Sequence, residues 1–201
     1  MAVLHTVAVK ATNPGGRLFD GIDQNNARKN GEFGFLGDYA GAGQGLPTGQ
    51  TQVKVFGAPT QVNNAQPNHG RMPVIIMQPE MMYDNSRKSL LKLANMEIKA
   101  QTPFTCIPLE EGDKIQASIE ILNPASHGQN DHLAVGQCYV LTNNQTYLTR
   151  TGAGTAPVEG GTVYFEIVKV KDAHARSARI GGAFRNDNYK LYTFEVKVVR
   201  A

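Results

Sequence analysis

Cysteine is nearly missing from this chain. Cys106 and Cys138 are the two among 201 residues, each set in an apolar stretch, and neither belongs to a CxxC or CxxH spacing. That excludes a disulfide scaffold and a cysteine-based zinc site, and leaves two buried thiols as the expectation. Long apolar runs are missing as well. No segment approaches the roughly 18 apolar residues of a membrane span, and the opening MAVLHTVAVKAT has too short an apolar run and too little charge for a secretory signal. A soluble chain made in a cytoplasm, without membrane association, is expected, which makes the Asn144-Gln145-Thr146 sequon a chance match. Charge is scarce too: charged residues are 18% of the total, and 20 basic against 17 acidic side chains give a net +3 without a basic block. Such a balance names no partner. Aromatics are 7%.

The chain is rich in turn formers instead, with 21 glycines and 10 prolines beside many Asn and Thr. This composition describes a turn-rich β protein. At this length the chain can bury a core without staples, as one domain or one domain with a long appendage.

The second half alternates with period two. In KIQASIEI, Ile115, Ala117, Ile119 and Ile121 share one face and Gln116, Ser118 and Glu120 the other, the pattern of a strand with one wet face. Ahead of it, Glu110 to Asp113 read as a tight turn. The runs on either side of Asn143-Asn144 predict a hairpin. GGTVYFEIVKVKD (160–172) and NYKLYTFEVKVVRA (188–201) are the longest strand candidates, with Phe194, Val196 and Val198 on one face. Only YDNSRKSLLKLANMEIKAQ (83–101) has a claim to helix, and its second half alternates, so at most one short helix is expected.

The first 70 residues differ. After a short strand near residues 3–10 they run through glycine, proline and asparagine with little periodicity, too long a stretch for an ordinary loop. Their apolar anchors, among them Leu18, Phe19, Ile22, Phe33, Phe35, Leu36, Tyr39 and Leu46, argue against simple disorder. The expected organisation is an extended N-terminal arm over 1–72 and a β domain over 73–201, an antiparallel barrel or sandwich.

Chemistry is sparse. GEFGFLGDYAGAGQGLPTGQ (31–50) lacks the lysine and the spacing of a P-loop, and Pro47 and Gly49 forbid the helix that a dinucleotide fingerprint needs. Its glycines read as tight bends and close backbone approach, with Phe33, Phe35, Leu36, Tyr39 and Leu46 as plugs at an interface. His127 and His132 are five apart in a polar loop, not on one helical face, so no metal site is expected. No GxSxG elbow is present, and Cys106 is followed by Ile107 and Pro108, so no catalytic residue and no cofactor is assigned and the chain is read as a non-enzyme. AHARSARIGGAFRN (173–186) carries His174, Arg176, Arg179 and Arg185 as a basic loop. It reads first as a protein contact and second as a nucleic-acid contact.

LEEGDKIQASIEI, VGQCYVLTNNQTYLTR and GGTVYFEIVKVKD in series, behind a Gly/Pro/Asn-rich arm, give a pattern over residues 104–172 that resembles the capsid decoration or cement proteins of tailed bacteriophages. The resemblance implies a β-barrel or sandwich on the outer capsid lattice, as a homo-oligomer in contact with the major capsid protein or another virion protein, located in the virion. The longer N-terminal half leaves a tail, spike or head-fibre component as the alternative. A carbohydrate-binding or other surface-ligand β module is a further alternative, with Tyr139, Tyr147 and Tyr164 either stacking on ligand or packed between strands.

Overall fold

The computed structural model describes residues 8–10, 18–39, 53–60, 72–77, 97–117, 119–123, 133–152, 154–172 and 190–200. These residues are mainly β, with a single 3₁₀ turn at Ile119–Ile121. Eleven strands follow in chain order: β1 Ala8–Lys10, β2 Phe19–Ile22, β3 Phe33–Tyr39, β4 Lys54–Gly57, β5 Val74–Ile76, β6 Phe104–Pro108, β7 Lys114–Ala117, β8 Cys138–Leu141, β9 Leu148–Arg150, β10 Val163–Asp172 and β11 Lys190–Val198.

They form two units. One is a six-stranded antiparallel sheet in the order β1-β7-β11-β10-β8-β9. The other is a closed five-stranded barrel in the order β2-β4-β3-β5-β6, sealed where β6 pairs antiparallel with β2; β2 and β4 run parallel. Closure matters because the barrel strands are short and a barrel leaves no strand edge unpaired.

Alternation decides which side chains fill each space. Phe56, Val74, Ile76, Phe104 and Cys106 pack inside the barrel with Leu36. Their neighbours in sequence point the other way, so Phe33 and Ile75 leave the barrel and join the larger core under the six-stranded sheet, with Ile115, Tyr139, Phe165, Phe194 and Val196. Phe33 meets Phe165 edge to face at 5.1 Å, and the Phe33 amide donates to the Thr146 carbonyl at 2.8 Å. One shared core therefore joins the units.

The longest strand expectations are borne out: β10 and β11 pair along their length, with a bulge at Val168, and Phe194 and Val196 are buried. The Glu110–Asp113 turn is present, held by the Glu110 amide donating to Asp113 Oδ2 at 2.8 Å, with Gly112 at φ 92°. The hairpin is present, but its loop runs from Thr142 to Tyr147, with Asn144 at φ 58°. The strand expected over KIQASIEI ends at Ala117 and gives way to the 3₁₀ turn, which still buries Ile121.

The first half requires correction. Within the expected arm, 19–22, 33–39 and 54–57 are strands of the barrel, and their partners β5 and β6 come from beyond residue 72. A boundary at 72 would cut through the barrel. The helix candidate falls mostly outside the described residues; within its tail, Ile98 makes a lone antiparallel bridge to Arg28.

Candidate functional site

The expected interface plugs are core residues. Phe33 is 0% and Phe35 6% exposed, and Leu36 packs against the barrel interior, so none of the three is offered to another chain. The physical reason is that β3 is covered on both sides: Gly34 and Leu36 face the barrel interior while Phe33 faces the sheet core. Tyr39 lies in β3, in register with Lys54. Leu46, His174, Arg176, Arg179 and Arg185 lie outside the described residues, as do His127 and His132.

What sequence reading passed over is a buried charged cluster next to the barrel interior. The segment after β2 brings Asp23, Arg28 and Glu32 together, at 5%, 9% and 5% exposure. Arg28 Nε and Nη2 reach Asp23 Oδ2 at 2.7 and 2.6 Å, and its Nη1 reaches Glu32 Oε2 at 3.2 Å. The guanidinium carbon stands 5.3 Å from the centre of the Phe56 ring, so the cation also covers an aromatic face from the barrel core. Backbone groups fix the carboxylates: the amides of Asn25 and Asn26 donate to Asp23 Oδ1 at 2.9 Å each, and the Lys29 amide donates to Glu32 Oε1 at 3.1 Å. Tyr147 Oη donates to Glu32 Oε1 at 3.5 Å, which ties the cluster to the loop between β8 and β9. Paired bonds between Arg28 and Ile98 hold the segment in place.

The two carboxylates titrate in opposite senses. Burial works to raise Asp23, but the amides of Asn25 and Asn26 together with Arg28 outweigh it and hold the carboxyl below its ordinary value. At Glu32 burial wins over Arg28, Thr146 and the Lys29 amide, so the carboxyl sits above its ordinary value. Burial and the neighbouring Glu32 push the Tyr147 phenol up to about 12. A raised acid binds its proton more tightly when folded. Its contribution to stability is therefore complete below the unfolded value, roughly pH 4.3 for glutamate, and is lost as pH rises through the folded value. Asp23 does the reverse and loses its contribution only as pH falls through its lowered folded value. We expect the melting temperature of wild type, measured against Glu32→Gln, to fall progressively as pH is raised from about 4 through the folded value of Glu32. A difference that stays flat with pH would show that Glu32 titrates as it does unfolded.

A second feature lies on the outer face of the six-stranded sheet. Register sets Glu166 opposite Glu195 and Tyr164 opposite Lys197. Lys197 Nζ bonds Glu166 Oε2 at 2.5 Å, a bond that raises the lysine, while burial pushes the Tyr164 phenol up. Nearby, Arg200 Nη2 lies 3.5 Å from Glu111 Oε1. Between these pairs runs an open groove of about 480 Å³ along Glu195–Val198, with Tyr164, Glu111, Gly112 and Arg200 also lining it. Sequence alternation predicted the two long strands but not which charges meet on their outer face.

The thiols are inert by environment. Burial, with a smaller push from Asp20, raises Cys106 to about 12, and burial and Glu166 raise Cys138 against Lys197, so both stay protonated. Among the described residues no three His, Cys, Asp or Glu side chains gather as a metal ion would require. Of the tyrosines singled out in the sequence, Tyr139 is 0% exposed and stacks edge to face on Phe194 at 5.8 Å, Tyr147 is tied to Glu32, and Tyr164 lines the groove. Comparison with protein families, curated proteins and solved structures returns no match.

Proposed function

We propose that this chain is a structural protein of a tailed-bacteriophage particle, binding and stabilising the capsid lattice through contacts with the major capsid protein or another virion protein. The observation that carries the reading is the way the described residues use their chemistry inward. A closed barrel and a six-stranded sheet share one core, both thiols are buried, and the buried charges Asp23, Arg28 and Glu32 bind one another. Such a body resists deformation, and a shell multiplies a modest interface over many copies.

Two features suit docking. Leu18 at 64%, Phe19 at 37% and Met72 at 38% exposure stand at the starts of β2 and β5, which flank β6 on either side. They take the role that the sequence had suggested for Phe33 and Phe35. Among the described strands β1 stands at an edge of the sheet, a place where a neighbouring strand can add main-chain hydrogen bonds.

The test is particle composition and strength. Particles purified from infected cells should contain the chain at a fixed ratio to the capsid protein, and particles made without it should release DNA at lower temperature. Leu18→Asp with Met72→Asp should abolish incorporation while leaving the melting of the free protein unchanged. Absence of the chain from purified particles would overturn the reading.

A further inference from the structure

We propose that the groove on the outer face of β10 and β11 binds a neutral oligosaccharide. The argument is independent of the virion reading and starts from how the groove's charges are already engaged. Lys197 is held by Glu166 at 2.5 Å, and Arg200 faces Glu111 at 3.5 Å. An anionic ligand would have to pull one of these carboxylates away from its cation, and a cationic ligand drawn to Glu195 would have to enter against both Lys197 and Arg200 in the same groove. A ligand bearing hydroxyls has to do neither. Each carboxylate keeps acceptor positions beyond the one its partner uses, and an ammonium or guanidinium keeps donors, so every ion pair presents a donor next to an acceptor. Sugar hydroxyls donate and accept at the same oxygen and match that arrangement.

The aromatic member is in register to contribute. Tyr164 stands directly across from Lys197, on the same face as Glu166 and Glu195, so a ring and both signs of charge occupy one short stretch of sheet. A phenol ring offers an apolar face for the C–H side of a sugar and a hydroxyl for its polar rim. The register also leaves Glu166 and Glu195 directly opposite each other, a like-charge pairing that costs stability in a sheet unless something donates between them. Lys197 bonds Glu166 and only attracts Glu195 through space, and ligand hydroxyls would donate to Glu195 directly. The volume, about 480 Å³, falls within the range of small-molecule sites. The groove is open, which suits a chain lying across it. At its rim Gly112 takes φ 92°, and a side chain there would meet no atom within 4 Å, so the rim stays low for reasons of the turn and not of packing.

An array printed with neutral hexose and N-acetylhexosamine oligomers, sialylated glycans and heparin fragments tests the idea with the whole chain. Neutral oligomers should bind, and titration calorimetry with the tightest of them should show affinity falling by about tenfold or more in Tyr164→Ala, the loss typical of a central aromatic anchor. Tyr164→Phe should keep most of the affinity. Arg200→Ala and Glu111→Gln, whose side chains are 86% and 47% exposed, should weaken binding without disturbing the fold, which keeps the test valid should Tyr164→Ala misfold. Binding confined to the sialylated or heparin probes, no binding at all, or neutral-oligomer binding unchanged in both the tyrosine and the rim variants would each overturn the proposal.

Discussion

Gly34→Ala is expected to destabilise the fold by roughly 1–3 kcal/mol, toward the upper end, because it forces an atom into a filled barrel. A methyl group at this position would sit 2.4 Å from Phe56 Cζ and 2.5 Å from the Gly57 carbonyl oxygen. The ring could turn at some cost. The carbonyl cannot, since β3 and β4 are paired there through Phe35 opposite Gly57. Gly37, two turns of the pleat from Phe33 on the same strand, is the internal control: its methyl would meet only the Val55 carbonyl oxygen, at 3.6 Å, so Gly37→Ala should fall within about 0.5 kcal/mol of wild type. Denaturant midpoints for the two variants measure the contrast. Adding Phe56→Leu to Gly34→Ala removes the ring clash and leaves the carbonyl clash, so the two losses should combine less than additively without cancelling. Equal stability of the Gly34 and Gly37 variants would mean that β4 does not close against β3 as described.

This glycine also explains what could be read from the chain and what could not. β7, β10 and β11 bury one face each, so their alternation is written in the residues and the strands were legible. β3 is covered on both faces. Phe33 and Leu36 serve different cores, Gly34 serves as space for Phe56, and the result, GEFGFLGDY, shows neither alternation nor high β propensity. It therefore read as part of an extended arm. Pairing over long sequence distance hid the rest, since β2 closes the barrel on β6, some 80 residues later. Phe33 and Phe35 do act as anchors, but their partner is the same chain.

The charged cluster was hidden differently. Asp23 to Glu32, DQNNARKNGE, has the composition of an exposed polar loop, and nothing in it announces burial. Only tertiary placement makes the three charges depend on one another. The groove lies between these cases: the two long strands and the shared face of Phe194, Val196 and Val198 were legible, while the cross-strand register of Tyr164, Glu166, Glu195 and Lys197 and the approach of Arg200 to Glu111 belong to the fold.

That dependence makes Arg28→Met the second large effect, about 3–5 kcal/mol, since removing one member of a buried ionic cluster strands the others. Asp23 and Glu32 would face each other with only amides, Tyr147 and Thr146 for support, and Phe56 would lose the cation above it. The charge origin of the loss is separable from its packing origin. In the triple variant Asp23→Asn, Arg28→Met, Glu32→Gln the side-chain carbonyls can still accept from the amides of Asn25, Asn26 and Lys29, while no charge is left buried in the cluster. Most of the loss should return, because neutral replacement of a buried ion cluster is often close to neutral in stability. The single variant should also respond to pH differently from wild type. Without Arg28 both carboxyls move upward from where they stand in wild type, so protonating them on acidification costs the variant less stability than it costs wild type. The gap between Arg28→Met and wild type should therefore narrow on acidification, a pH dependence that a simple packing defect would not show. A triple variant no more stable than the single one, with a gap indifferent to pH, would assign the role of Arg28 to its contact with Phe56 and not to its charge.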